Sequence, residues 1–485
     1  MASHWQRQHP RQRPEHGHGQ FPNPWERHPR DHGPVHEDNY NTNYTVVSWE
    51  ELQYPSGELG AIPKRPEVID DRKQMEYLTR ILGSKVYDVT SESPFHFAPI
   101  LSYGLGVNLW LKREDSHSGY SFMLRGAYNM ISHLPNEELD KGVQKDVEKE
   151  YSFNIRGAYN MMANLPKEAL MEKKMPKEEA EKGYSFKTRG AYNMMANLPK
   201  EELDKGVIFA STGGDHAQGL ALAANKLGTE TVIVMPTTTP PIKVEMVKNL
   251  GGKIVLYGDT FDDALKHAKQ LSQEKNLTVI PPFDHKDVII GQGTVGMEIA
   301  RQMRDPLHAI FVSVESGELL AGVASFYKLV FPDVKIIGVE ARDANRMALA
   351  LHKNEIVKVD DIGMFADNVG VQQVGNESFR IARELVDGIV LVDKDDISIA
   401  IKEMYEDTGS MLEPSGVVSI AGAKAYCKYN NMKGVNVVAI TNGSNINFNQ
   451  LGSIVHIVDA ADQTEAKSVI GMYLDSYTRG FGASI

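Results

Sequence analysis

An α/β protein with two lobes of mostly parallel, twisted sheet and flanking helices is what this sequence predicts, and three observations predict it. From residue 207 onward, short β-branched runs alternate with amphipathic helical stretches, the signature of βαβ units. The alternation then resumes from Ala309 with a second set of strands, which argues for two lobes and a cleft where strand ends converge. A chain of 485 residues with 41% apolar content has room for more than one core.

Taken in order, residues 1–50 read as a disordered tail. His4, His9, His16, His18, His28, His32 and His36 lie there among six prolines and almost no aliphatic side chains, so burial could not offset the entropy of ordering. The spacing of those histidines fixes no tetrahedral geometry, and no metal is expected. The arginines of the tail suit an organelle leader, whereas Glu15, Glu26 and Asp31 are out of character for one.

A catalytic domain is expected over residues 67–460, and within it lies a tandem repeat. Tyr120-Ser-Phe-Met-Leu-Arg-Gly-Ala-Tyr-Asn-Met recurs from Tyr151 and again from Tyr184, at spacings of about 30 residues. Three copies in an otherwise unrepeated chain indicate a local duplication, with about 120–183 an insertion before a smaller lobe of about 184–290. The copies differ most at one position, occupied by Met123, Asn154 and Lys187.

Strands are expected at Val207-Ile-Phe-Ala, Thr231-Val-Ile-Val-Met, Lys253-Ile-Val-Leu-Tyr and Leu277-Thr-Val-Ile. Helices are expected over His216 to Leu227 and Phe261 to Gln273. A second set of strands follows at Ala309-Ile-Phe-Val-Ser-Val, Val334-Lys-Ile-Ile-Gly-Val, Ile389-Val-Leu-Val and Asn436-Val-Val-Ala-Ile. Residues 461–485 are read as a short C-terminal tail with no regulatory domain.

Composition narrows the function. A net charge of -12 offers no basic footprint for nucleic acid or an anionic membrane surface, so neither is an expected partner. The single cysteine, Cys427, excludes an intrachain disulfide and fits a reducing compartment. No apolar run is long enough for a membrane helix.

The chemistry centres on Ser185-Phe186-Lys187, followed by Arg189-Gly190. A lysine at a helix entrance, partly buried and beside the positive helix end, is disfavoured as an ammonium and is a candidate for a Schiff base. Lys112-Arg-Glu-Asp, Ser185-Phe-Lys-Thr-Arg-Gly-Ala-Tyr-Asn and His216-Ala-Gln-Gly follow one another in the order seen in fold-type-II pyridoxal-phosphate enzymes, which this chain resembles. The long run from Pro281-Pro-Phe-Asp-His through Met297-Glu-Ile, with Leu307-His-Ala-Ile-Phe-Val and Ala425-Tyr-Cys-Lys-Tyr, is most similar to plant biosynthetic threonine deaminases.

That resemblance implies pyridoxal 5'-phosphate as cofactor, held by a Schiff base on Lys187 next to Phe186. It implies a homo-oligomeric chloroplast enzyme that converts L-threonine to 2-oxobutanoate and ammonia at the first step of isoleucine synthesis. Lys187 would both anchor the cofactor and move the α-proton, while Ser211, Thr212, Gly213 and His216 would hold the amino-acid substrate, threonine or serine.

Three positions depart from the family's pattern. Asp215 stands where an amide should contact the cofactor's 3-oxygen, and Asn442 stands where a serine faces the pyridine nitrogen. The tetraglycine phosphate cup and its following leucine read Glu315-Ser316-Gly317-Glu318-Leu319, so two carboxylates are expected beside the phosphate. If both glutamates faced solvent, the backbone could still serve. If they faced inward, an impaired relative acting as a binding or structural subunit becomes the competing reading. A serine dehydratase or racemase of the same fold is a further alternative.

Overall fold

The computed structural model describes residues 44–459, except 116–186 and short stretches that include 212–214, 281–283, 367–371 and 444–450. The described chain opens with β1 (Thr45–Ser48), α1 (Asp71–Leu82), β2 (Phe95–Phe97), α2 (Pro99–Leu105) and β3 (Asn108–Arg113). It continues with α3 (Lys187–Ala196), α4 (Lys200–Asp204), β4 (Val207–Ala210), α5 (Asp215–Leu227), β5 (Thr231–Met235) and α6 (Pro241–Asn249). Next come β6 (Lys253–Leu256), α7 (Phe261–Lys275), β7 (Thr278–Val279) and α8 (Lys286–Gln302). The last part holds β8 (Leu307–Ser313), α9 (Glu318–Val330), β9 (Lys335–Ala341), α10 (Arg346–Lys353), β10 (Val357–Asp360) and α11 (Asn376–Leu385). It goes on with β11 (Gly388–Val392), α12 (Lys394–Thr408), α13 (Pro414–Tyr429) and β12 (Asn436–Thr441), and residues 451–459 are helical.

Local chemistry sets several of these boundaries. Thr260 and Asp263 form a reciprocal capping box at the start of α7, and Asn276 ends that helix in the left-handed region at φ 53°. β4 and β5 are buried at every residue, which is why they read as continuous apolar runs and not as alternating ones. α8 is buried from Val288 to Ile299 and runs through the interior between its neighbours.

The strands assemble as the βαβ pattern requires. A four-stranded sheet runs β6-β5-β4-β7, parallel throughout, and a six-stranded sheet runs β11-β9-β8-β12-β3-β2 with only β2 antiparallel. One face of the larger sheet packs on α1, α8, α9 and α11 around Ile81, Ile289, Leu320, Ile336 and Phe379. A second apolar cluster, including Leu109, Phe311, Val390, Ile401 and Val437, joins the sheet to α2, α12 and α13, and Cys427 is buried in it. Among the described residues, no helix is long and apolar enough to cross a membrane.

The tail ends earlier than the sequence predicts. Residues 45–48 form β1, which pairs in parallel with β10 from Thr45 opposite Val357 to Ser48 opposite Asp360. Val47 is buried there against Leu349, Val357 and Val359, so a short β-branched segment gains from a free strand edge what it could not gain alone. Residues 1–43, with all the tail histidines, lie outside the described residues, as do the first two repeat copies and residues 460–485.

Candidate active site

Two parts of the fold meet the predicted chemistry: the start of α3 and the cleft at the C-terminal ends of β8 and β12. α3 is formed by the third repeat copy, with Lys187 as its first residue, and it leads through α4 into β4. Its anchor is Arg189, fully buried two residues further on. Arg189 donates from Nε to Glu114 Oε2 at 2.9 Å and from Nη1 to Glu298 Oε1 at 2.5 Å and Thr294 Oγ1 at 3.2 Å.

Lys112 completes the cluster, donating to Glu298 Oε2 at 2.6 Å, Gln302 Oε1 at 2.8 Å and the Ser93 carbonyl at 2.9 Å. Lys112, Arg189, Glu114 and Glu298 are all fully buried, and their charges cancel. Burial outweighs the neighbouring carboxylates at Lys112 and holds its ammonium below the usual lysine range. Burial also opposes the Arg189 charge, but the attraction of Glu114 and Glu298 exceeds it and keeps the guanidinium protonated. β3, α3 and α8 are thus tied together at one point, and the backbone of Lys187 is placed by that tie.

The cleft is lined by Ser313, Glu315, Gly317, Glu318, Leu319, Ser415, Ile440 and Asn442. Its floor is the turn from β8 into α9. Gly317 adopts φ 105°, where a side chain is strained, and a Cβ there would come within 2.8 Å of Met347 Cε and 3.0 Å of Ser378 Cβ. Packing therefore suffices to require this glycine, without reference to any ligand.

Glu318, the first residue of α9, does not face solvent. It is 8% exposed, and its carboxylate accepts from Ser316 Oγ at 2.7 Å and from the Asp284 backbone N–H at 3.1 Å. Asp284 in turn accepts from the Glu377 and Ser378 N–H groups at the start of α11. Burial raises the Asp284 carboxyl from 3.8 to about 6, and the nearby Glu318 charge adds to the rise against those hydrogen bonds.

The opposite wall comes from β12 and the start of α13. Asn442 is buried and donates its N–H to the Gly416 carbonyl at 3.1 Å; Ser415 Oγ donates to Glu413 at 2.9 Å. Ser313 Oγ accepts from the Ser419 N–H at 3.1 Å.

The structure brings Glu315, Gly317, Glu318, Leu319 and Asn442 together at this cleft, with Ser316 buried behind them on the Glu318 carboxylate. Ser211 follows β4 and is buried, with its N–H on the Val234 carbonyl at 2.9 Å, and it is not part of the cleft lining. Asp215 and His216 lie in the first turn of α5. Phe186, Thr212 and Gly213 fall outside the described residues, as do the side chains of Lys187, Asp215 and His216. Sequence reasoning missed Asp284, Ser313 and Ser415; Asp284 carried one signal, an aspartate in a Pro-rich turn, and it adopts a positive φ of 61°.

The residues present can be weighed against the phosphate that the sequence resemblance places at this turn. The first N–H groups of α9 are the usual anion donors. However, a buried carboxylate already sits in the turn, and Glu315 lines the same cleft. A like charge at 4 Å costs about 4 kcal/mol at an effective dielectric near 20. The loop as it stands does not fit a phosphate dianion.

Comparison with known proteins gives the lineage. A family profile described as "Pyridoxal-phosphate dependent enzyme" matches residues 175–443. The biosynthetic, chloroplastic threonine dehydratase of Arabidopsis thaliana is 47% identical over 423 residues, covering 87% of this chain and 60% of that protein. The biosynthetic L-threonine dehydratase of Burkholderia multivorans is 41% identical, covering 81% of this chain and 65% of that protein. The chain thus spans less than two thirds of the length of these curated relatives. Among solved structures, the processed form of threonine deaminase isoform 2 from Solanum lycopersicum is 41% identical with a TM-score of 0.71, covering 86% of this chain and 98% of that one. With this match in sequence and in fold, the chain belongs to the pyridoxal-phosphate-dependent enzymes, in the family of the threonine dehydratases.

Proposed function

We propose that this chain is the catalytic core of a threonine ammonia-lyase, turning L-threonine into 2-oxobutanoate and ammonia. The observation that carries the reading is the 41% identity maintained over 98% of a solved threonine deaminase chain. Lys187 would then hold the cofactor and move the α-proton, and Asn442, which lines the cleft, would serve the cofactor's ring. Ser211, Thr212, Gly213 and His216 hold the substrate, the first three through its carboxylate. The chloroplastic relative at 47% identity supports a plastid location, and the reading includes small amino acids as substrates and a homo-oligomeric state.

The cleft sits at the carboxyl ends of parallel strands, where α/β proteins place their ligands. The tie among Arg189, Glu114 and Glu298 gives the start of α3 a fixed position relative to the larger sheet. The experiment is release of 2-oxobutanoate from L-threonine with pyridoxal phosphate in large excess. It is run on the wild type and on a variant with the loop returned to glycine (Glu315→Gly, Ser316→Gly, Glu318→Gly). Turnover that is abolished by Lys187→Ala is expected; no oxo acid from either protein would overturn the assignment.

A further inference from the structure

The described surface of the cleft holds an anion that belongs to the chain. Glu318 occupies the start of α9, is buried, and has both carboxylate oxygens engaged, by Ser316 Oγ on one side and the Asp284 N–H on the other. Ser316 is itself fixed, because its carbonyl accepts from the Gly375 N–H at 3.0 Å. Asp284 is pinned by the N-terminus of α11, so the loop, the segment before α8 and α11 close on the Glu318 carboxylate together. Glu315 adds a second carboxylate to the same lining. The positive end of a helix stabilises a carboxylate in its first turn, so the arrangement costs the fold little and leaves less of that field for a ligand.

We infer that Glu318 is a resident carboxylate that takes the role of the family's phosphate, so that the cleft does not discriminate in favour of a phosphorylated pyridine ligand. This deepens the proposed function and rests on the cleft being its cofactor site. Within the family a phosphate group on the ligand adds affinity; here it adds none, and the loop selects by the ring alone.

The test compares two probes that lack the aldehyde and so bind without reacting at any lysine: 4-deoxypyridoxine and its 5'-phosphate. Their dissociation constants are measured by titration calorimetry on the full chain, with circular dichroism confirming the fold of each variant. In the wild type the ratio of the two constants is expected to be near one, or to favour the unphosphorylated probe. Glu318→Gln keeps the size and the Asp284 hydrogen bond and removes the charge; it should shift the ratio toward the phosphate by about tenfold. The triple glycine variant should shift it by about a hundredfold.

Wild type that binds the phosphorylated probe a hundredfold more tightly than the other would overturn the inference. So would a folded triple glycine variant that still gains nothing from the phosphate. Neither result depends on threonine turnover, so loss of the ammonia-lyase reading and loss of this inference are separately visible.

Discussion

Arg189 is the residue on which the placement of α3 turns. Its guanidinium serves two buried carboxylates at once, and Lys112 balances the remaining charge. Breaking such a cluster from one side leaves an uncompensated charge in the interior. Arg189→Met is therefore expected to lower the unfolding free energy by about 3–5 kcal/mol, read from urea titration, with partial recovery when Glu114→Gln is added. The sequence made the lysine two residues earlier legible, because a Ser-Phe-Lys motif at a helix start is a local pattern. It could not show the partners of Glu318, since the Asp284 N–H is contributed by a turn remote in sequence, and only folding decides whether a glutamate faces inward.

At the scale of elements, β4, β5, β8, β9, β11 and β12 were legible because buried parallel strands write themselves as β-branched runs. β1 and β10 were not, because they pair only with each other and neither is a continuous apolar run, and β2 has only three residues. The contact between α8 and α9 was equally hidden. There Gly322 lies so close to α8 that a Cβ would meet the Ile289 carbonyl at 2.5 Å and the Gly293 nitrogen at 2.6 Å. Gly322→Ala must push α9 away from α8. A destabilisation of about 1–3 kcal/mol is expected, seen as a lowered melting temperature. An unchanged melting temperature would show that the two helices separate without cost.

Over the whole molecule, the repeat read as an insertion ahead of the smaller lobe puts three similar copies in line for one helix. Arg189, Ala191, Tyr192 and Asn193, which bury α3, are residues all three copies share, whereas the copies differ at the position of Lys187. In the described chain it is the third copy that forms α3. Deleting residues 120–183 would join Gly119 to Tyr184 and shorten the connection from Asp115 to Lys187 about tenfold. Loop closure then favours the folded state by about 2 kcal/mol. An upward shift of the urea midpoint is expected, and a fall of similar size would show that the removed residues contribute to the folded body.

Over generations, the buried quartet and the β8–α9 turn drift under different rules. The charges of the quartet are held against one another, so a single codon change there exposes the whole set to loss of stability. The turn carries less: Glu318 is held by a neighbouring hydroxyl and the Asp284 N–H, and glycine at the same place frees those two donors without stranding an opposite charge. A lineage built this way can lose or regain a ligand by changes of one or two codons while its architecture stays under selection.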